Sequence, residues 1–161
     1  MTDCTQAEIA GRIVRQARSA CLGTIDRDGG PFVSLVNVAA SVDSRPAILM
    51  LLSGLARHTK NLIPNPSASL LLTQSPSQSV TSDTDATADP LAGARVTLLG
   101  EAVAVSRDAD ASERATFLAA HESAAKYAGF GDFSFYRFEI ADVHLVAGFG
   151  QISTFSPDEL S

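Results

Sequence analysis

The sequence predicts a mainly β protein: a small antiparallel barrel with peripheral helices, in a single domain over residues 1–161. Three observations predict it. Short apolar or alternating runs recur along the chain, separated by turns rich in Gly, Pro and Asp. Only two segments carry a sustained helical period. Apolar residues make up 45% of the chain and charged residues 19%, which excludes a disordered protein. A domain of this size buries roughly 70% of the surface its unfolded chain exposes, so it needs no disulfide or metal staple.

The first helix is expected over Thr5 to Ala20. Thr5 and Glu8 have capping-box spacing, and Ile9, Ile13, Val14 and Ala17 share one face. Cys21 to Ile25 reads as a strand, and Asp26-Arg27-Asp28-Gly29-Gly30 as a turn in which glycine supplies positive φ. Pro31 opens a second strand, Phe32 to Asn37, completing a hairpin. After a turn at Asp43-Ser44-Arg45-Pro46, the apolar run Ala47 to Leu52 predicts a strand buried on both faces. Ser53-Gly54-Leu55-Ala56 opens a short helix that ends before Pro64 and Pro66. Ala68 to Thr73 is a further strand.

Residues 75–90 contain one large apolar residue, Val80, and read as a mobile loop within the domain. Arg95 to Ser106 is a long strand, kinked at Gly100. Asp110 to His121 is the second amphipathic helix, with Asp110 and Glu113 again at capping spacing, and a helical turn from Glu122 to Tyr127 continues it. Phe133 to Ile140 alternates, with Phe133, Phe135 and Arg137 opposite Ser134, Tyr136, Phe138 and Ile140. Val143 to Ala147 and Gln151 to Phe155 close the sheet. Six to eight hairpin-joined strands of this kind make a small barrel.

The formal net charge of −6 argues against nucleic acid as a partner, since a basic footprint is absent. No apolar run approaches the ~20 residues of a membrane span. The start, Met1-Thr2-Asp3-Cys4, has neither the basic nor the apolar part of a secretory signal. Cytoplasmic localisation is the expectation, and two cysteines without metal spacing, Cys4 and Cys21, agree with a reducing compartment.

The sequence has no CxxC, HExxH, Walker loop or GxSxG. Gly148-Phe149-Gly150 lies between strands and reads as a bulge or tight bend. The densest polar cluster is Ser53-Gly54-Leu55-Ala56-Arg57-His58-Thr59-Lys60-Asn61. It combines Arg57, His58 and Lys60, the hydroxyls of Ser53 and Thr59 and the Asn61 amide at a helix start, where backbone N–H groups favour an anion. A phosphate would find charge, hydrogen bonds and dipole together. The same residues equally describe a solvated helix start with Ser53 as N-cap. His121 and His144 are chemically able to ligate a metal or haem iron, and equally able to be packed residues. Asp132 is either a turn residue after Gly131 or a hydrogen-bonding group near a ligand.

Four strings, LGTIDRDGGPFVSLV, LLSGLARHTKNLIPNPSASLLL, DPLAGARVTLLGEA and DFSFYRFEIADVHLVAGFGQ, together resemble the pyridoxamine 5′-phosphate oxidase-related FMN-binding split-barrel family, and within it the haem-utilisation HugZ-type branch. The likeness runs from about residue 12 to 155 in the family's order. It implies a six-stranded antiparallel split β-barrel, a homodimer, and FMN at the subunit interface. The family's phosphate-binding Arg-Lys pair would fall on Arg57 and His58, histidine in place of lysine being the HugZ-like pattern. Ser53, Thr59 and Asn61 would help hold the phosphate, and Ser34, Leu35 and Val36 would lie along the isoalloxazine ring, mostly through backbone.

The implied function is an FMN-dependent oxidoreductase in which the flavin carries the electrons and no catalytic side chain stands out. Haem binding or degradation is the alternative, with His58, His121 and His144 as the available histidines. Haem-degrading relatives use a histidine on a C-terminal tail, whereas this sequence has none after His144. A third reading is a non-enzymatic dimer that binds flavin or a protein partner.

Overall fold

The structure is a computed structural model that describes residues 5–74, 89, 91–148 and 150–160. The loop expected at 75–90 therefore lies, apart from Asp89, outside the described residues. The elements are α1 (Gln6–Gln16), β1 (Ser19–Ile25), β2 (Pro31–Ala40), β3 (Ala47–Ser53), α2 (Arg57–Leu62), β4 (Ser67–Thr73), β5 (Ala94–Ala104), α3 (Ala111–Ala120), a 3₁₀ segment Glu122–Lys126, β6 (Phe133–Ala147), β7 (Ile152–Phe155) and a 3₁₀ turn Pro157–Glu159.

Six strands close into an antiparallel barrel in the order β3-β2-β1-β4-β5-β6, and β6 pairs back onto β3. The short β7 adds to the far edge of β6. The expected mainly β fold and six-stranded split barrel are thus present. The β1–β2 hairpin turns where expected, with Gly29 at φ 81°.

The interior is filled by inward residues of all six strands, among them Leu22, Val38, Ile48, Met50, Leu70, Leu98, Phe138 and Leu145. Ala10, Ile13 and Val14 of α1 and Leu62 of α2 complete the same core. A second, smaller cluster lies outside the barrel wall, where Phe117 of α3 packs on Leu49, Ala39 and Phe135. β3 is therefore buried on both faces, as its apolar run predicts. No helix among the described residues is long and apolar enough to cross a membrane.

Three local expectations are corrected. The Thr5–Glu8 capping box forms, with Thr5 Oγ1 accepting from the Glu8 N–H and the Glu8 carboxylate accepting from the Thr5 N–H. The helix stops at Gln16, however, four residues short of Ala20. Ala17 is extended, and the chain from Ser19 pairs with β2 at Asn37, so ladder bonds win over further helical turns. The second box fails. Asp110 adopts φ −89°, ψ 7° instead of the extended conformation an N-cap needs, makes no cap bond, and pairs with Arg114 at 3.2 Å. The two strands expected at 133–140 and 143–147 are one strand of 15 residues. A bulge opposite Leu99 and Gly100 adds Ala141 to β6 and shifts the alternation by one, so that Val143 and Leu145 face inward like Phe138 and Ile140.

The register shift falls at Gly100, the residue where a kink in β5 is expected. A Cβ there would stand 2.0 Å from the Glu139 carbonyl oxygen. Gly100→Ala should therefore force the β5–β6 backbones apart and lower stability by about 1–3 kcal/mol, the usual cost of overpacking, read by urea denaturation.

Candidate functional site

The candidate site forms where β3 hands the chain to α2. Ser53 ends β3 opposite Phe133, and the Gly54 N–H extends the ladder by donating to the Asp132 carbonyl at 2.6 Å. Ala56 then precedes α2 in extended conformation and carries no side-chain acceptor. The first-turn N–H groups of Arg57, His58 and Thr59 have no intrahelical partner, and Lys60 is the first to bond back, to the Ala56 carbonyl at 3.2 Å. A helix of six residues has a weak macrodipole, so local positive potential comes mainly from these donors and their side chains.

Arg57 reaches over the β1–β2 hairpin. Its guanidinium carbon lies 4.7 Å from the centre of the Phe32 ring, and Nη2 lies 3.1 Å from Asp26 Oδ2. Asp26 also accepts from the backbone N–H of Gly30 at 2.8 Å and of Asp28 at 3.0 Å. The Gly30 N–H first, then the Asp28 N–H and Arg57, hold its carboxyl below the usual range against the opposing effect of burial. The Arg57 side chain remains 61% exposed, so one of its five donors is engaged with Asp26 while the group faces solvent.

His58 is half-buried, and its Nδ1 lies 2.9 Å from Ser34 Oγ on β2. Burial pushes the imidazole below its ordinary pKa. Thr59 is 3% exposed, and its Oγ1 has no hydrogen-bond partner among the described residues. A buried hydroxyl left in that state costs free energy that a bound acceptor would recover.

The remaining sequence-predicted residues divide. Asn61 is buried and donates through Nδ2 to Thr24 Oγ1 at 3.0 Å, fixing α2 to β1. Ser53 is not the N-cap of α2. Its Oγ donates to Asp132 Oδ2 at 2.8 Å and accepts from the Leu55 N–H at 3.2 Å. Its hydroxyl proton is committed, with a carboxylate beside it. Asp132 is thus a turn residue, as one of the two expectations had it, and its carboxylate bonds the Ser53 hydroxyl. On β2, Ser34 points to α2, Leu35 stands 76% exposed on the outer barrel face, and the Val36 side chain is in the core.

The other histidines are held within the fold. His121 donates from Nε2 to the Val38 carbonyl at 2.8 Å and packs against Phe117. His144 lies on β6 with Nδ1 3.5 Å from Thr154 Oγ1 of β7. No group of three His, Cys, Asp or Glu among the described residues is arranged to hold a metal ion. Gly148 and Gly150, both at positive φ, turn the chain between β6 and β7 with Ala147 N–H bonded to the Gln151 carbonyl, the tight bend expected there.

Two features have no signal in the linear sequence. Asp26 and Phe32 meet Arg57 only because the hairpin folds over α2, and Asp132 meets Ser53 only because β6 closes onto β3. What the arrangement offers is a guanidinium beside an imidazole, uncapped N–H donors and a buried hydroxyl without a partner among the described residues, on three consecutive residues. That set suits a phosphate.

Barrel and site together define a split-barrel protein with an anion-suited turn at the end of β3. The chain belongs to the CREG-type β-barrel family, whose model matches residues 2–160. It is 40% identical over 121 residues to the non-canonical heme oxygenase HOZ, chloroplastic, of Arabidopsis thaliana, a match covering 75% of this chain and 33% of that protein. Among solved structures, a heme-binding protein from Mycobacterium smegmatis superposes with TM-score 0.82 at 29% identity, covering 99% of this chain and 61% of that one. A Clostridium acetobutylicum protein of the pyridoxine-phosphate oxidase family superposes with TM-score 0.65 at 15% identity, over 99% of this chain and 100% of that one, and shares the fold. The chain thus spans a third of the Arabidopsis relative and 61% of the mycobacterial one.

Ala56→Asp would supply the missing cap. It should stabilise the protein by about 1 kcal/mol while its carboxylate abolishes any rise in Tm on adding inorganic phosphate. Thermal denaturation with and without phosphate reads both effects.

Proposed function

We propose that the chain binds FMN, with the phosphate on Arg57, His58 and Thr59, and acts as a flavin-dependent oxidoreductase. The observation that carries this reading is the start of α2: a helix with alanine at its cap, an exposed guanidinium, a half-buried imidazole and a buried hydroxyl that has no partner among the described residues. Bound flavin would supply electron transfer. The chain's own task is then to fix the phosphate and present β2 to the ring, with Ser34, the Leu35 side chain and the Val36 backbone nearest to it. Ser53 and Asn61 shape the site through Asp132 and Thr24 rather than by touching phosphate.

The outer barrel face supports function as a homodimer. Strand register sets Val33, Gly23, Ser69 and Leu99 in one row and Leu35, Cys21, Leu71 and Thr97 in the next. Val33 is 65% exposed, and Leu35, Leu71 and Leu99 are exposed with it. A contiguous apolar patch on a protein of this size marks an interaction surface, and its continuity with β2 would bring a second copy beside the proposed ring position.

The names of the Arabidopsis and mycobacterial relatives favour a second reading, haem binding. His58 is then the histidine to supply the ligand, since it stands beside the proposed cofactor site and its contact with Ser34 engages Nδ1 alone. Absorbance separates the two: a flavin spectrum on adding FMN, or a Soret band on adding hemin that His58→Ala removes.

Arg57→Ala should weaken FMN binding by about 1.5–3 kcal/mol, the worth of a charge-assisted hydrogen bond. Undiminished affinity in a fluorescence titration would reject the phosphate assignment. Leu35→Glu should give a monomer by analytical ultracentrifugation and release FMN, with the barrel intact by circular dichroism.

A further inference from the structure

His58 is a titratable group of the site that is half-buried and bonded through one ring nitrogen. Its Nδ1 meets Ser34 Oγ, and either partner can donate in that contact: Ser34 to the neutral ring, or the imidazolium to Ser34. Few charges bias the choice. α2 packs on β1 and β2, whose only ionisable side chain is Cys21, exposed on the outer face. The charged groups of the site are Arg57 and Lys60 on α2 itself, Asp26, Arg27 and Asp28 on the hairpin turn, and Asp132, whose carboxylate accepts from Ser53. The Asp26 carboxylate is spent on two backbone N–H groups and Arg57, and among the described residues no carboxylate is paired with His58. Burial thus leaves the ring neutral near pH 7 in the free protein.

Resting on the phosphate reading above, we propose that a phosphate dianion binding at α2 draws one proton from solvent onto His58, with Ser34 reversing from donor to acceptor. The imidazolium Nδ1–H is then held by Ser34 Oγ, and Nε2–H is left to donate to the anion. The Ser34 hydroxyl hydrogen, released from the ring, becomes available to the ligand as well. A lysine at this position would be charged beforehand and would bind phosphate without proton uptake. Histidine makes the grip on phosphate depend on pH.

The dependence has opposite signs in the free and bound protein. In free protein, the lowered value means that His58 contributes stability above about pH 6.5, the ordinary histidine value, and loses it as pH falls through the lowered value. In the complex the protonated form is preferred, so affinity declines as pH rises past neutrality. The ligand's own second ionisation, near pH 6, works the other way and is complete above about pH 7.

The test is calorimetric titration of the full chain with FMN at pH 7.0 in two buffers of different ionisation enthalpy, with affinities followed to pH 8.5. Wild type should take up close to one proton per FMN and lose up to about tenfold in affinity per pH unit above neutrality. The ¹⁵N shifts of the His58 ring should move from the neutral to the imidazolium pattern on binding. His58→Lys should bind FMN without proton uptake and without the decline. Binding by wild type with no proton uptake overturns the proposal alone. Absence of FMN binding at both pH 5.5 and 8.5 overturns the phosphate reading and the proposal with it. The proton count on wild type needs no variant to fold.

Discussion

Everything about the candidate site depends on the closing of the sheet between β3 and β6. Seven consecutive residue pairs, Ala47 with Glu139 through Ser53 with Phe133, make that seam. Because β3 is paired on both sides and covered on both faces, its exit at Ser53 is fixed, and so is the start of α2 four residues later. The Gly54 and Ser53 bonds to Asp132 carry the seam past the last strand residue. Arg107 fastens the same corner from outside by donating to the carbonyls of Phe130, Gly131 and Phe133. Three unremarkable residues at the head of a short helix become a rigid cluster because the seam holds the chain leading into them.

The electrostatics follow the same logic of preparation before binding. Arg57 is aligned by the Phe32 ring and by Asp26, which limits its rotamers and also offsets part of its charge. In a chain carrying a net −6, that carboxylate keeps the guanidinium oriented without leaving a bare cation on the surface. A dianion would compete with Asp26 by charge and by the number of donors around it. Thr59 contributes in the opposite way, as a buried hydroxyl whose bond is still to be made. A second charge constellation, Arg137 with Asp43 at 2.6 Å and Glu139 at 2.6 Å, is already satisfied and far from this chemistry in kind. Burial opposes the Arg137 charge, and the two carboxylates overcome that opposition.

Local order was largely legible in the sequence, and long-range order was not. The Thr5–Glu8 box, the glycine turn at 26–30 and the doubly buried run at 47–52 are each encoded within a few residues, and each forms. Thr5 and Asp110 show the limit, since identical spacing gives a cap in one place and an ion pair with Arg114 in the other. The difference lies in backbone angles that neighbouring elements impose. The break expected after Ile140 has a similar origin: a one-residue phase shift in alternation reads as two strands, whereas a bulge makes it one. At the site, spacing along α2 points to Arg57, His58 and Thr59. It cannot say that Ser53 and Asn61 would be claimed by Asp132 and Thr24, because those partners are 79 and 37 residues away.

The bulge at Gly100 also has a meaning for how the chain finds its fold. β5 holds a single glycine among its 11 residues, and that glycine sits against a carbonyl that would collide with any Cβ. Sliding β6 along β5 by two residues would preserve the inside–outside alternation and so would escape any penalty from burial. It would, however, bring Leu98 or Ala102 to the place where only glycine fits. The contact therefore works as a steric key, which admits one alignment of the two longest strands and rejects the slipped ones that hydrophobic patterning alone would accept.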